Sequence, residues 1–236
     1  MAGARFIDFH SHVAPSGDDG ARSVGEGIEL CRDAAASGTH VLYATPHVWP
    51  DLPMHVARER RFRDAVAAMR EQLDGLDLRI GFELTPDPGL LEDDPSRYAL
   101  EGTGICLVES PFAGGLAVFF AVGEHVEAAG LTPLVAHPER SLSFLGSSGH
   151  IEEVLERGWP LQLTAGSLTG RSGPESQHLA WHLLERCDRV VVASDGHGSS
   201  RPARLGDAWR AVAARLGDEI ATRAFAGGGL GLERAA

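Results

Sequence analysis

A chain of 236 residues, 43% of them hydrophobic, can bury a sizeable core, yet it holds no apolar run near the roughly 20 residues that a transmembrane helix needs. Its formal net charge of −12 excludes nucleic acid and anionic membrane surfaces as default partners, because both demand a positive face. The opening MAGARFIDFH lacks the extended apolar segment of a signal peptide, and the three scattered cysteines form no disulfide framework, so a cytoplasmic protein with packing cysteines is expected.

Taken in chain order, short β-branched or apolar runs alternate with longer amphipathic stretches. Strands are expected near Arg5 to His10, Val41 to Thr45, Leu78 to Phe82, Ile105 to Val108, Pro133 to Ala136, Leu161 to Thr164 and Val190 to Ala193. Between them lie candidate helices around Ser23 to Ser37, His55 to Leu73, Ala117 to Ala129, Ile151 to Arg157 and Glu175 to Arg186. Arg204 to Leu216 and Asp218 to Phe225 close the series. Glycines at 38, 130 and 158 follow three of these helices, where a left-handed cap is expected. Repeated βα units of this kind build a parallel α/β barrel or a close relative, with a doubly wound open sheet as the alternative. No linker or repeat divides the chain. One domain is therefore expected over residues 1–226, followed by a flexible Gly-rich tail over 227–236.

The chemistry-bearing residues fall at one end of this pattern. His10 and His12 end the first strand, His47 follows the second, Glu83 the third, Glu109 the fourth, His137 the fifth, and Asp195 with His197 the seventh. In a parallel barrel these positions share the C-terminal face, where βα loops build active sites. Residues two apart in an extended segment point the same way, so "HSH" and "SDGH" can each aim two ligands at one centre. A lone His-x-His arises readily by chance; two such pairs among further strand-end ligands do not. His40, His55, His125, His150, His178 and His182 end no strand and are read as ordinary core or surface residues.

Mixed imidazoles and carboxylates suit Mn, Fe or Zn, and they are too many for one ion, so two or three divalent metals are implied. Clustered cations lower the pKa of bound water and neutralise an oxyanion, which makes hydrolysis the natural reaction. Arg140, three residues beyond His137, and Arg201, four beyond His197, can bring planar guanidinium forks to the same mouth and favour a phosphoester substrate. Both can instead form surface ion pairs with Glu139 or neighbouring acids. Asp8 reads either as a partner that orients a ligating imidazole or as a group satisfied by backbone donors. "DDG" at 18–20 reads either as a turn with a helix N-cap or as part of the centre.

In order along the chain, the segments IDFHSH, PSGDDGA, ATPH, GFEL, RYAL before LVES, LVAHPER, LQLTAGSLTG and ASDGH resemble the PHP (polymerase and histidinol phosphatase) superfamily. Within it they are most similar to the bacterial capsule-type tyrosine phosphatases of the CpsB/CapC/YwqE group, over about Ile7 to Arg201. The resemblance implies a distorted (β/α)₇ TIM-like barrel and a trinuclear centre. It places His10, His12, Glu83 and Asp195 on a first metal, Glu83 as a bridge with Glu109 and His137 on a second, and Asp19, His47 and His197 on a third. Asp19 enters the set through the resemblance alone. Arg140 and Arg201 fall where the family binds phosphate. The implied reaction is attack by a metal-bridging hydroxide on a phosphotyrosine, with manganese as the leading cofactor. The implied substrate is a membrane-associated tyrosine autokinase of exopolysaccharide synthesis, while the phosphatase is not itself a membrane protein. Ser16 stands where the family has glycine, and the segment 48–61 carries no match.

Three other functions compete. One is a small-molecule phosphatase such as a histidinol-phosphate phosphatase. Another is an amidohydrolase-like C–N hydrolase, disfavoured because the chain has no lysine to carboxylate. The third is a non-catalytic PHP-like binding module, disfavoured because every ligand position holds a competent residue.

Overall fold

The computed structural model describes residues 5–232. Nine strands among these residues form two parallel sheets. β1 (Phe6–Ser11), β2 (Thr39–Ala44) and β4 (Asp77–Ile80) lie side by side in that order. The second sheet runs β3 (His47–Val48), β5 (Glu83–Leu84), β6 (Ile105–Glu109), β7 (Thr132–Ala136), β8 (Leu161–Thr164) and β9 (Val190–Ala193). All seven expected strands are present, and the two additional ones arise because the second and third are each interrupted. Pro46, which has no N–H for the ladder, separates β2 from β3. Gly81 separates β4 from β5, at a point where a Cβ would come within 2.3 Å of Leu100. The chain resumes the same direction after each break, with Gly81 N–H donating to Ala44 O at 3.0 Å and Glu83 N–H to Pro46 O at 3.1 Å.

The sheets also meet at the opposite seam, where Asp195 N–H donates to His10 O at 2.9 Å and His12 N–H to Gly196 O at 2.7 Å. The strands thus follow the order and sense expected of a barrel, arranged as two joined sheets of three and six. Alternate residues face opposite sides, as the period of two requires. Ile7, Phe9, Val41, Tyr43, Ile105, Leu107, Leu134 and Val191 pack into one inner cluster. Their neighbours Leu42, Cys106, Val108, Val135 and Val192 join the larger cluster beneath the helices.

The helices are α1 (Val24–Ala36), α2 (Val56–Arg70), α3 (Ala117–Ala128), α4 (Leu142–Leu145), α5 (Ser148–Glu156), α6 (Ala165–Leu168), α7 (Pro174–Arg186), α8 (Gly206–Leu216) and α9 (Asp218–Phe225). The seven expected helices are all found; α4 and α6 are single turns too short for periodicity to show. α1 begins on a side-chain cap, with Ser23 Oγ accepting from Glu26 N–H at 3.2 Å.

The C-terminal segment corrects an expectation. Residues 227–232, read above as a flexible tail, fold into a short 3₁₀ turn at Gly228–Leu230 and pack Leu230 and Leu232 against the inner cluster. Gly229 lies so close to β9 that a Cβ would sit 2.2 Å from Val190 O, so the glycines permit close packing where composition suggested freedom. Residues 233–236 lie outside the described region.

The cysteines have the packing role expected. Cys31 and Cys106 are fully buried, and burial pushes both thiols up to about 12. The thiolate is the reactive form, so a native-state titration with a disulfide reagent at neutral pH is expected to label Cys187 alone. Rapid labelling of all three before unfolding would contradict this packing.

Candidate metal centre

Each strand end delivers its residue to one place. β1 is irregular as it approaches the site: Asp8 pairs with Leu42 but Ser11 with Ala44, so three steps on β1 match two on β2. Such a bulge re-aims side chains next to a site. Here His10 and His12 arrive with their Nε2 atoms 3.1 Å apart. The only two non-glycine residues with left-handed backbone among the described residues are His137 (φ 37°) and Asp195 (φ 50°). Both belong to the expected ligand set, and backbone strain of this kind, about 1–3 kcal/mol each, concentrates at functional sites.

Glu83 lies at the middle of the cluster. Its Oε2 is 3.0 Å from His10 Nε2, 3.2 Å from His12 Nε2 and 3.0 Å from His47 Nδ1, while Oε1 is 2.9 Å from His137 Nε2. Asp195 Oδ1 is 3.5 Å from nitrogens of His10, His12 and His197. Asp19 Oδ1 reaches His197 Nε2 at 3.3 Å and His47 Nε2 at 3.7 Å, which resolves the ambiguity of the DDG turn in favour of convergence. Three overlapping groups bring their ligand atoms within 4.8 Å of one another: His12, Asp19, His47 and His197; His10, His12 and Glu83; and His47, Glu83 and Glu109. His12 and His47 therefore each belong to two groups, whereas the resemblance gave each to one ion.

The donor set fits divalent cations. Three imidazole nitrogens crowd one carboxylate oxygen, and Glu83 Oε2 and His47 Nδ1 are both buried without a hydrogen-bond partner. Leaving such atoms unpaired in the interior is costly, whereas a cation between them satisfies all of them at once.

Electrostatics without metal reflect the same crowding. Burial pushes the His12 imidazole down, but Asp18 and Glu83 beside it outweigh that and hold it at about 10. Burial together with the His12 charge depresses His197 to about 4. Burial opposes ionisation of Glu83, yet the His10 and His47 imidazoles keep it well below the usual carboxylate range. Burial and the Glu83 charge raise Glu109, whose Oε2 accepts a short hydrogen bond from Thr85.

A second layer orients the ligands, and much of it escapes spacing arguments. His10 Nδ1 meets Gln162 Oε1 at 2.8 Å, His197 Nδ1 meets Asp195 O at 2.9 Å, and His12 Nδ1 lies 3.5 Å from Asp18 Oδ2. Asp18 also accepts from His47 N–H at 3.0 Å, so the two adjacent aspartates divide the work: Asp19 faces the centre and Asp18 holds its neighbours. Asp8 is held by backbone donors at one oxygen only, Oδ1 accepting from Ser194 N–H at 2.9 Å and His10 N–H at 3.4 Å while Oδ2 is buried without a partner, and burial lifts its carboxyl to about 6. Gly20 closes the loop against His12, where a Cβ would come within 2.3 Å of His12 O.

The segment 48–61 contributes two residues that no motif announces. Trp49 stacks on His47 with ring centroids 4.4 Å apart. Arg58 is buried, and its guanidinium donates to Ser16 O at 2.9 Å, Leu52 O at 2.5 Å and His47 O at 3.0 Å, tying the aspartate loop to the His47 strand.

Arg140 and Arg201 both reach the site. Each donates to Asp195 Oδ2, Arg201 at 2.5 Å and Arg140 in a very short contact, rather than to Glu139. Glu139 instead lies buried, accepting from Thr164 N–H at 2.8 Å. Asp195 thus turns one oxygen to the imidazoles and the other to the guanidiniums, and links the two halves of the site.

Fold and site together define a class: a parallel α/β protein whose strand ends carry an imidazole–carboxylate centre suited to several divalent metals. Residues 6–229 match the family described as Capsular polysaccharide synthesis, CpsB/CapC, and the chain belongs to that family. It is 29% identical over 204 residues to the tyrosine-protein phosphatase YwqE of Bacillus subtilis, covering 81% of this chain and 77% of that protein. It is 25% identical over 214 residues to the putative tyrosine-protein phosphatase CapC of Staphylococcus aureus, covering 84% of this chain and 80% of that one. Among solved structures, those of YwqE from Bacillus subtilis and CpsB from Streptococcus pneumoniae, described as unique metal-dependent tyrosine phosphatases, give a TM-score of 0.84 at 25% identity over 97% of this chain and 94% of the matched chain. A lactonase from Listeria monocytogenes, at 13% identity and a TM-score of 0.57, shares the fold.

Proposed function

We propose that this protein is a metal-dependent protein-tyrosine phosphatase. The observation that carries the reading is the convergence of His10, His12, Asp19, His47, Glu83, Glu109, His137, Asp195 and His197 around Glu83, with Arg140 and Arg201 anchored beside them on Asp195. Family membership and phosphatase relatives support it. The nine residues would hold two to three divalent ions, manganese first, with iron or zinc as alternatives. We read residues 1–226 as a single catalytic domain, onto which 227–232 pack.

Bound metals would supply an activated water and neutralise charge on the phosphoryl group. The chain's own residues do the rest. Glu83 holds imidazoles on both sides of its carboxylate, while Gln162 and Asp18 fix the orientation of His10 and His12. Arg140 and Arg201 offer guanidinium donors to the phosphoryl oxygens, and such charge-assisted bonds strengthen as negative charge develops. A phenolate leaves readily enough that no strong general acid is needed.

The substrate in this reading is a phosphotyrosine on a membrane-associated tyrosine kinase of exopolysaccharide synthesis, met from the cytoplasm. No described helix is long and apolar enough to cross a membrane. The test is turnover of a phosphotyrosine peptide and of histidinol phosphate, side by side with manganese. A clear preference for the peptide is expected. A large preference for histidinol phosphate would replace this reading with the small-molecule one, and no turnover of either by the manganese-loaded protein would favour the binding module. Arg140→Ala is expected to lower kcat/KM about ten- to thirtyfold, chiefly through weaker phosphate binding.

A further inference from the structure

Beside the metal centre a cleft of about 380 Å³ opens among the segments that follow β7, β8 and β9. Arg140 and Arg201, both bound to Asp195, make an inner pair of its lining guanidiniums, and Arg171 and Arg204, which contact no metal ligand among the described residues, make an outer pair. Phe112 borders it with 72% of its surface exposed, unusual for a large aromatic side chain. The Arg171 guanidinium has no ion-pair partner among the described residues, and Arg204 is backed by Asp33, with Nε 2.7 Å from Oδ2. Asp207 is the one carboxylate among the described lining residues, and Arg210 sits against it.

Asp195 holds Arg140 and Arg201 and Asp33 holds Arg204, which leaves Arg171 as the lining guanidinium with no carboxylate partner among the described residues, a local basic excess in a chain whose net charge is −12. A phosphoryl group needs only the inner pair. The outer pair has no role in hydrolysis, yet it borders the space into which whatever carries the phosphoryl group extends. A small phosphomonoester leaves that space empty, whereas a peptide fills it. Phe112 supplies an apolar surface for an aromatic ring beside this basic wall.

Building on the phosphotyrosine reading, we propose that the cleft is a subsite for acidic residues flanking the phosphotyrosine, with Arg171 and Arg204 meeting their carboxylates and Phe112 supporting the ring. Charge complementarity at such an exposed surface selects partners and speeds encounter more than it deepens affinity. The expected preference is therefore modest and weakens with salt.

The test compares three substrates with the manganese-loaded full chain: free phosphotyrosine, a phosphotyrosine peptide flanked by glutamates, and the same peptide flanked by alanines. The expected result is a kcat/KM about three- to tenfold higher for the glutamate peptide than for the alanine peptide, carried by KM and reduced at high salt. Arg171→Glu should abolish or invert that preference while turnover of free phosphotyrosine stays unchanged. Equal turnover of the two peptides by the unaltered protein, or an equal loss on all three substrates in the variant, would overturn the subsite. If none of the three is hydrolysed while histidinol phosphate is, the phosphotyrosine reading itself falls, and the subsite with it.

Discussion

Glu83→Gln is expected to lower kcat by about 10³-fold or more and to reduce bound metal to one ion or fewer per chain. Glu83 Oε2 lies within 3.2 Å of three imidazole nitrogens and Oε1 within 2.9 Å of a fourth. An amide presents one neutral oxygen and one NH₂ to this shell, so it can neither bridge two cations nor balance their charge. Among the described residues no other carboxylate lies within 3.2 Å of as many ligand nitrogens. Circular dichroism and metal analysis of the purified variant separate loss of the centre from loss of the fold, and Glu83→Asp, which keeps the charge but shortens the reach, should recover part of the metal. A Gln variant that retained full metal content and more than about a tenth of the activity would remove Glu83 from the middle of the account.

The second large effect is expected at Arg58, far from any recognised motif. Arg58→Met keeps much of the packing volume but leaves the carbonyls of Ser16, Leu52 and His47 without their donor. Removing a buried partner of this kind costs about 3 kcal/mol, which for a chain of this size lowers Tm by about 6–12 °C. Activity should fall with it, because the loop carrying Asp18 and Asp19 loses its tie to His47. Arg58→Lys restores the charge without the planar fork and should recover only part of either property. Thermal unfolding and metal titration measured together check this, and an unchanged Tm in the Met variant would show that the loop is held by other means.

The fold was largely legible because its strands are short apolar runs whose neighbours alternate between two buried faces, and because caps such as Ser23 mark the helix starts. The breaks at Pro46 and Gly81 were not foreseen, since each strand resumes its direction and its apolar pattern within two residues. The C-terminal glycines were misjudged for a related reason: composition reports the freedom of Gly229 in an unfolded chain, not the close approach to Val190 that it permits in the folded one.

At the site, ligands at strand ends could be found because a parallel fold carries them to one face. The residues behind them could not. Asp18 and Asp19 are adjacent and chemically identical, and only the loop's path decides which faces the centre. Arg58 sits in the charged run VARERRFRD, where a solvated helix face is the ordinary expectation. Gln162 left a faint signal, a single amide between Leu161 and Leu163 in a fully buried strand. Spacing brings Arg140 and Arg201 near the strand ends, but their shared anchor on Asp195, a residue with left-handed backbone, is one that no spacing rule supplies.

The central claim is that nine side chains from seven segments form one polynuclear centre served by two arginines. Crystals of the metal-loaded protein with phosphate, measured at the manganese, iron and zinc absorption edges, test it most directly. The account predicts two or three anomalous peaks clustered around Glu83, with phosphate oxygens between those ions and the guanidiniums of Arg140 and Arg201. A single peak, or a phosphate held away from both arginines by other residues, would contradict it.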